Sequence, residues 1–243
     1  MKAIFINLCI GILIFSGCKV SHVIQYDEYG LVAHYSFDNK SIIDSSSYHI
    51  DAVLDNIEFT SDRFGNTNSA VKLNGENSKV ECGRNNRRIK DKLTVMAWVK
   101  TNAGDLPAVV SKYDWHEDKG YSLRLREQGE AAIEGRDGNN KYQQSGFKTS
   151  LYDYQWHHIV GVINKNNWTI YVDGNKVSSS TNTNKYVNLS NTSILTFGAL
   201  PIPNGKGNFR YFNGSIDEVL MFNEAMNDDV IKSIYRMSKT KSL

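Results

Sequence analysis

Proline and cysteine are scarce, three of each among 243 residues, and positive and negative charges nearly cancel at a formal +2. Few prolines leave extended segments free to pair, because proline cannot donate to a sheet ladder. The near-neutral balance gives no electrostatic ground for nucleic-acid binding, which needs a clustered basic surface. The nearest such cluster, Arg84, Arg87, Arg88, Lys90 and Lys92, is broken by Asp91 and reads as a solvated loop. No apolar run reaches the about 20 residues that a membrane-spanning helix requires. Cysteine cannot crosslink the body of the chain either: Cys9 and Cys18 fall in the N-terminal leader region, which leaves Cys82 alone. Stability must then come from a core, and from a metal if one is bound, rather than from disulfides. Cys82 lies in the strand-like Lys79-Val80-Glu81-Cys82 with no catalytic partner near it, so it reads as a small packing residue.

What is present begins with an address. Lys2 is the only charge ahead of a run from Ala3 to Phe15 that is apolar except for Asn7 and Gly11, and Ser16, Gly17 and Cys18 follow it. Such a segment is a leader to be set apart from the fold. Small residues just before a cysteine resemble a bacterial lipobox, in which the chain is cut ahead of the cysteine and its sulfur is acylated. Phe15 departs from the aliphatic residue usual at its position. The alternative is an ordinary secretory leader with an incidental Cys18, and either reading exports the chain. The expected organisation is therefore a leader over 1–17, a tether over 18–29 and a single domain over 30–243. The lipid on Cys18 would hold the protein to the bacterial cell envelope, at the surface or the periplasmic face of the outer membrane. Removing the leader leaves 226 residues and, without Lys2, a charge of +1. That length suits one large all-β domain, and no Pro-, Gly- or Ser-rich linker divides it.

From Leu31 onward, short apolar or alternating runs recur between turn residues. They are Leu31–Phe37, Ser69–Leu73, Lys79–Cys82, Leu93–Thr101, Ala108–Tyr113, Tyr121–Arg126, Glu130–Arg136, Trp156–Asn164, Trp168–Asp173, Ser193–Gly198 and Ser215–Phe222. Many short strands of this kind argue for a β-sandwich. The pairs Asn74-Gly75, Asp137-Gly138, Asp173-Gly174 and Asn213-Gly214 tolerate the positive φ of tight reversals. Trp168, Ile170 and Val172 alternate with Thr169, Tyr171 and Asp173, the period of a strand with one buried face. Val160 and Val162 on one side of the preceding strand, with Ile159 and Ile163 on the other, predict a central strand covered on both faces. Ser178–Asn191 is polar and reads as an ordered loop or sheet edge. At the C-terminus the period changes: Asn227 predicts a helix cap, Asp228 and Asp229 its first turn, and Val230, Ile231, Ile234 and Tyr235 its apolar stripe.

The hairpin Gln155–Val177, with its tryptophan-led strand and YVDG ending, resembles the central hairpin of laminin G-like domains of the concanavalin A-like jelly-roll superfamily. The resemblance extends to His34–Asp38 (HYSFD), Arg63–Gly75, Leu93–Lys100 and Phe212–Met226 (FNGSIDEVLMFNEAM), in that order. It implies a jelly roll of two curved antiparallel sheets with a short C-terminal helix. Lectins, carbohydrate-binding modules, adhesive ectodomains and, in related branches, glycoside hydrolases and polysaccharide lyases share that fold. Fold alone therefore assigns no activity.

Catalysis finds little support. Glu130, Ala132 and Glu134 share one strand face, but Glu130 and Glu134 lie roughly 13 Å apart along a strand. Paired glycosidase carboxylates sit about 5 to 9.5 Å apart. These glutamates read as solvated or paired with Arg124, Arg126 or Arg136. The parts of a lyase (Arg124, Arg136, Tyr142, Gln143, His116) are joined by no recognisable spacing. His157 and His158 point to opposite faces of a strand and cannot chelate one ion together. Asp38 and Asp217 come together if the first and last strands are neighbours, and two carboxylates with backbone carbonyls near Gly65 or Asn74 suit a structural Ca²⁺. For a sugar, aromatic platforms beside a few polar groups are the useful chemistry. Tyr113, Trp115 and His116 occupy a polar loop after a strand, Arg136 and Tyr142 flank a turn, and Arg210 and Tyr211 precede the last strand. Trp98, Trp156 and Trp168 read as core. The expected function is a non-catalytic binding lipoprotein whose partner is a glycan. The alternatives are an adhesive module for a cell-surface protein or, third, a polysaccharide-degrading enzyme.

Overall fold

A computed structural model describes residues 26–103, 106–114, 119–137, 142–165, 167–181, 187–201 and 209–240. The leader, Cys18, Trp115 and His116 lie outside the described residues. The eight-stranded sheet runs β13 (Asn175–Thr181), β12 (Asn167–Val172), β11 (Trp156–Ile163), β6 (Leu93–Lys100), β17 (Asn213–Phe222), β4 (Ala70–Asn74) and β3 (Glu58–Thr60). β1 (Leu31–Tyr35) pairs with the C-terminal part of β17. The seven-stranded sheet runs β10 (Tyr142–Ser150), β9 (Glu130–Asp137), β8 (Lys119–Leu125), β7 (Ala108–Asp114), β14 (Thr196–Phe197), β5 (Lys79–Glu81) and β2 (Val53–Asp55). A two-stranded ribbon, β15 (Ala199–Pro201) with β16 (Phe209–Tyr211), packs beside β7.

The inward residues of both sheets form one core. β6, β11 and β12 contribute Val95, Ala97, Val99, Ile159, Ile163, Trp168 and Ile170, and the facing sheet contributes Tyr121, Leu123, Ile133 and Phe197. Trp168 is wholly buried there, as its alternation predicts. The reversal after β12 has φ of 50° at Asp173 and 74° at Gly174, the doubly left-handed two-residue turn that matches the twist of paired strands. Cys82 is also buried in this core, and burial pushes its thiol up to about 12, away from nucleophilic use.

The outer face of the larger sheet is partly covered by α1 (Asp228–Ser238). The Asn227 side chain accepts from the Val230 amide at 3.0 Å, and Ile231 and Ile234 bury against Met96, Val160, Val162, Tyr171 and Leu220. This explains why β11 is apolar on both sides. It also corrects the placement of two tryptophans. Trp98 is buried, but outside the sandwich, against Tyr235 of the helix at 5.8 Å and His158 at 5.3 Å. Trp156 is only half-buried. At the N-terminal side, Tyr26–Tyr29, read as the end of the tether, form a 3-10 turn, and the Tyr26 ring meets Phe222 at 5.9 Å.

The basic run of residues 84–92 is not simply the solvated loop that its charges predict. Arg87 is 1% exposed rather than solvated, and it donates to the Cys82 carbonyl and the Tyr35 hydroxyl, each at 2.9 Å. Its counter-charge, Asp44 at 3.5 Å, comes from the distant loop after β1. No reading of residues 84–92 alone reveals that partner.

His158 packs against both Trp98 and Tyr235, which also stack on each other, and burial lowers its pKa to about 4, so it is neutral in the folded protein at pH 7. The unfolded chain takes up that proton near pH 6.5. Between about pH 6.5 and 4 the unfolded state therefore binds more protons, and stability falls as pH falls through that window. His157, raised by hydrogen bonds to Asp173 and Asp153 against burial, works with the opposite sign. Urea melts at pH 7.5 and 4.5 should show His158→Phe losing roughly 2 kcal/mol less than the parent on acidification. An unchanged pH slope would refute this assignment.

Candidate functional site

Backbone register of the seven-stranded sheet aligns residues into cross-strand rows. One row runs Tyr113, Gly120, Arg136, Tyr142. The next runs Thr196, Ser111, Ser122, Glu134, Gln144. A third runs Ala108, Arg124, Ala132, Gly146. The inward neighbours on β8 are Tyr121, Leu123 and Leu125, all core residues. Burying those three forces Ser122 and Arg124 to the outside, by the two-residue period of a strand. Gly120 has φ of 118°, and a Cβ there would meet the Lys112 carbonyl oxygen at 2.1 Å, so only glycine fits between Tyr113 and Arg136.

Arg124, in the third row, lies toward the turn that joins β8 to β9. A cavity of about 330 Å³ opens there, lined by Leu106, Arg124, Arg126, Glu127, Gln128, Glu130 and Glu134. Arg124 Nε pairs with Glu134 Oε1 at 2.9 Å, and Arg124 also donates to the Leu106 carbonyl. Burial raises the Glu134 carboxyl above its usual range, opposed by Arg124, Arg126 and Arg210. In the neighbouring row the hydroxyls of Ser111 and Ser122 are buried without a hydrogen-bond partner among the described residues. A lining of planar guanidinium, carboxylate and side-chain amide groups of mixed charge can exchange hydrogen bonds with a polyhydroxylated molecule.

The structure brings several of the expected ligand residues to this face. Tyr113, Arg136 and Tyr142 share one row by backbone register. Tyr113 is buried, and it packs with Ala108 and with Leu200 of the β15–β16 ribbon. Arg210, paired opposite Leu200, comes close enough to act on both Arg124 and Glu134. Tyr211 stands one position on, so it points to the other side of the ribbon, where its ring meets Phe209 at 5.7 Å near Lys79. Of the residues that line the cavity itself, the sequence offers Arg124 and Glu134 only as parts of a catalytic site or an ion pair, and Arg126 only as an ion-pair partner. Their signal was the alternation Leu123-Arg124-Leu125-Arg126, leucines inward and arginines out. Glu134 is held by Arg124, as one of the alternatives for it supposed.

β1 pairs with the C-terminal part of β17, so the strand that leads to Asp38 and the strand that holds Asp217 are neighbours. Asp38 lines a cavity on the opposite sheet with Asp62, Arg63 and Glu218. Asp217, 1% exposed, receives a hydrogen bond from Arg63 at 2.5 Å, and a bulge at Glu218 lets that neighbour bond His34 at 2.6 Å. Burial pushes Asp217 up to about 8 against the pull of Arg63. Among the described residues no three His, Cys, Asp or Glu side chains are grouped as metal ligands. The Asn74 side chain caps its own turn, its oxygen accepting from the Glu76, Asn77 and Ser78 amides.

A laminin G family model, described as concanavalin A-like lectin/glucanases superfamily, matches residues 74–232. Among solved structures, the binding domain of Paraclostridial Mosquitocidal Protein 1 is similar, with TM-score 0.70 and 16% identity over 86% of this chain and 52% of that one. Domain 4 of AbnA, a GH43 extracellular arabinanase from Geobacillus stearothermophilus in complex with arabinotriose, has TM-score 0.68 and 19% identity over 85% of this chain and 98% of that one. The binding domain of botulinum neurotoxin DC in complex with rat synaptotagmin II has TM-score 0.68 and 14% identity over 87% and 52%. This chain thus spans about half the length of the toxin chains, 52% of each. At such identities the likeness shows the fold alone. Comparison with curated proteins finds no match.

Proposed function

Because the chain belongs to the concanavalin A-like lectin/glucanases superfamily, we propose that it is a non-catalytic module binding an uncharged saccharide on the outer face of its seven-stranded sheet. The observation that carries this reading is the cavity of about 330 Å³ lined by Arg124, Arg126, Glu130 and Glu134. Its charges are mixed, which favours a polyol over a strongly ionic ligand. Binding is favoured over hydrolysis because Glu134 is engaged by Arg124 at 2.9 Å. Its same-face neighbour Glu130 lies four residues away, roughly 13 Å along an extended strand, too far for a paired carboxylate. The arabinotriose-bound relative supports a saccharide. The synaptotagmin-bound relative supports a second reading, a protein partner.

The leader and Cys18 support an exported protein held at the bacterial envelope by a lipid. Replacing Cys18 by Ser should move the chain from the membrane to the soluble fraction and supply a form for a polysaccharide screen. We expect retention of at least one neutral polysaccharide, competed by its free oligosaccharides. Failure of every neutral glycan in a broad panel would reject the proposal.

A further inference from the structure

The larger sheet carries a groove of its own on the outer face, beyond the helix. Register there aligns Glu58, Lys72, Ser215, Lys100 and Trp156 across five strands. Of these, Lys72, Ser215, Lys100 and Trp156 border, with Tyr154 and Asn102, a cavity of about 650 Å³, larger than the one on the opposite sheet. Tyr154 is 58% exposed, the most open aromatic ring among the described residues. Its backbone is left-handed, with φ of 62°, a conformation disfavoured for tyrosine, and its amide is held by the Thr101 carbonyl at 3.0 Å. The Lys100 ammonium sits 4.4 Å from the centre of that ring. No carboxylate among the described residues pairs with Lys100. The other acids and bases nearby are already occupied: Asp62 is buried and accepts from its own loop, and Arg63 is committed to Asp217. Lys72 meets only the exposed Glu58 at 3.7 Å, a pair worth little in water.

We infer that this groove is a second saccharide site, and that it takes an anionic glycan. Tyr154 and Trp156 offer faces on which sugar rings stack, and Asn102 and Ser215 offer hydrogen bonds. Lys100 and Lys72, two strands apart and so roughly 10 Å from each other, supply charge for acidic groups on separate sugar units. The site is distinct from that under Proposed function and differs from it in the charge of its ligand, so the two stand or fall separately.

The test is titration of the full chain at low salt with polygalacturonate, with heparin and with neutral dextran. We expect one of the two acidic glycans to bind, which identifies carboxylate or sulfate as the group recognised, and dextran to have no effect on that binding. Lys100→Met and Tyr154→Ala should each weaken it about tenfold, with melting temperatures unchanged. Lys232→Met, an equal change of charge on the exposed face of α1, should leave it intact. Absence of binding to both acidic glycans overturns the inference. So does an undiminished affinity of Tyr154→Ala, which would mean simple polyelectrolyte attraction, or a Lys232→Met loss equal to that of Lys100→Met.

Discussion

Arg87→Met should lower the unfolding free energy by about 3–5 kcal/mol, the range observed when one partner of a buried charge pair is removed. The guanidinium is 1% exposed and Asp44 is wholly buried. Asp44 keeps amide donors from His34, Ser46 and Ile50, which softens but does not cancel the loss of its cation. The Cys82 carbonyl and the Tyr35 hydroxyl would lose a donor at the same time. Arg87→Lys should rescue little, because a single ammonium cannot reproduce the fork that reaches all three partners. Chemical denaturation of the three proteins measures this. A loss below about 1 kcal/mol for Arg87→Met would show that the cluster does not hold the loop after β1 to the sandwich.

Arg124 and Glu134 should behave as a unit, and differently in stability and in binding. Their side chains are 11% and 8% exposed. Replacing either alone by leucine strands the other charge, at a cost of about 3–5 kcal/mol. Replacing both removes the stranded charge, so the double variant should recover most of that stability, giving a coupling energy of at least about 1 kcal/mol. Affinity for the neutral saccharide should not recover. All three variants are expected to lose about 2 kcal/mol of binding, roughly 30-fold. A double variant that folds and still binds like the parent would place the ligand elsewhere.

The sequence showed the interior strands well because burial imposes a period. β6, β11 and β12 must fill the core on one face, and Val160 and Val162 announced a cover on the other without saying that the helix supplies it. It showed the edges poorly. β10 (YQQSGFKTS) and β13 (NKVSSST) are largely polar, since an edge strand buries little, and neither carries alternation to read. The C-terminal helix was legible because its cap, its acidic first turn and its apolar stripe are all local. The candidate site was legible as residue types and not as a place. Tyr113, Arg136 and Tyr142 are separated in sequence but fall in one row through Gly120, and only register reveals that. Trp156 was misread because an apolar strand such as WHHIVGVI gives no sign that its first residue lies beyond the helix that covers the rest. Tyr154 drew no notice at all; its exposure follows from a left-handed backbone that the sequence does not mark.

The most direct test of the account is amide chemical-shift mapping of the Cys18→Ser protein during titration with the neutral oligosaccharide selected by the screen. Perturbations are predicted to cluster on β8, β9 and the turn between them, at Arg124, Arg126 and Glu134, and to saturate together. Saturable binding that leaves those amides unmoved while shifting residues of the helix-bearing sheet would contradict it.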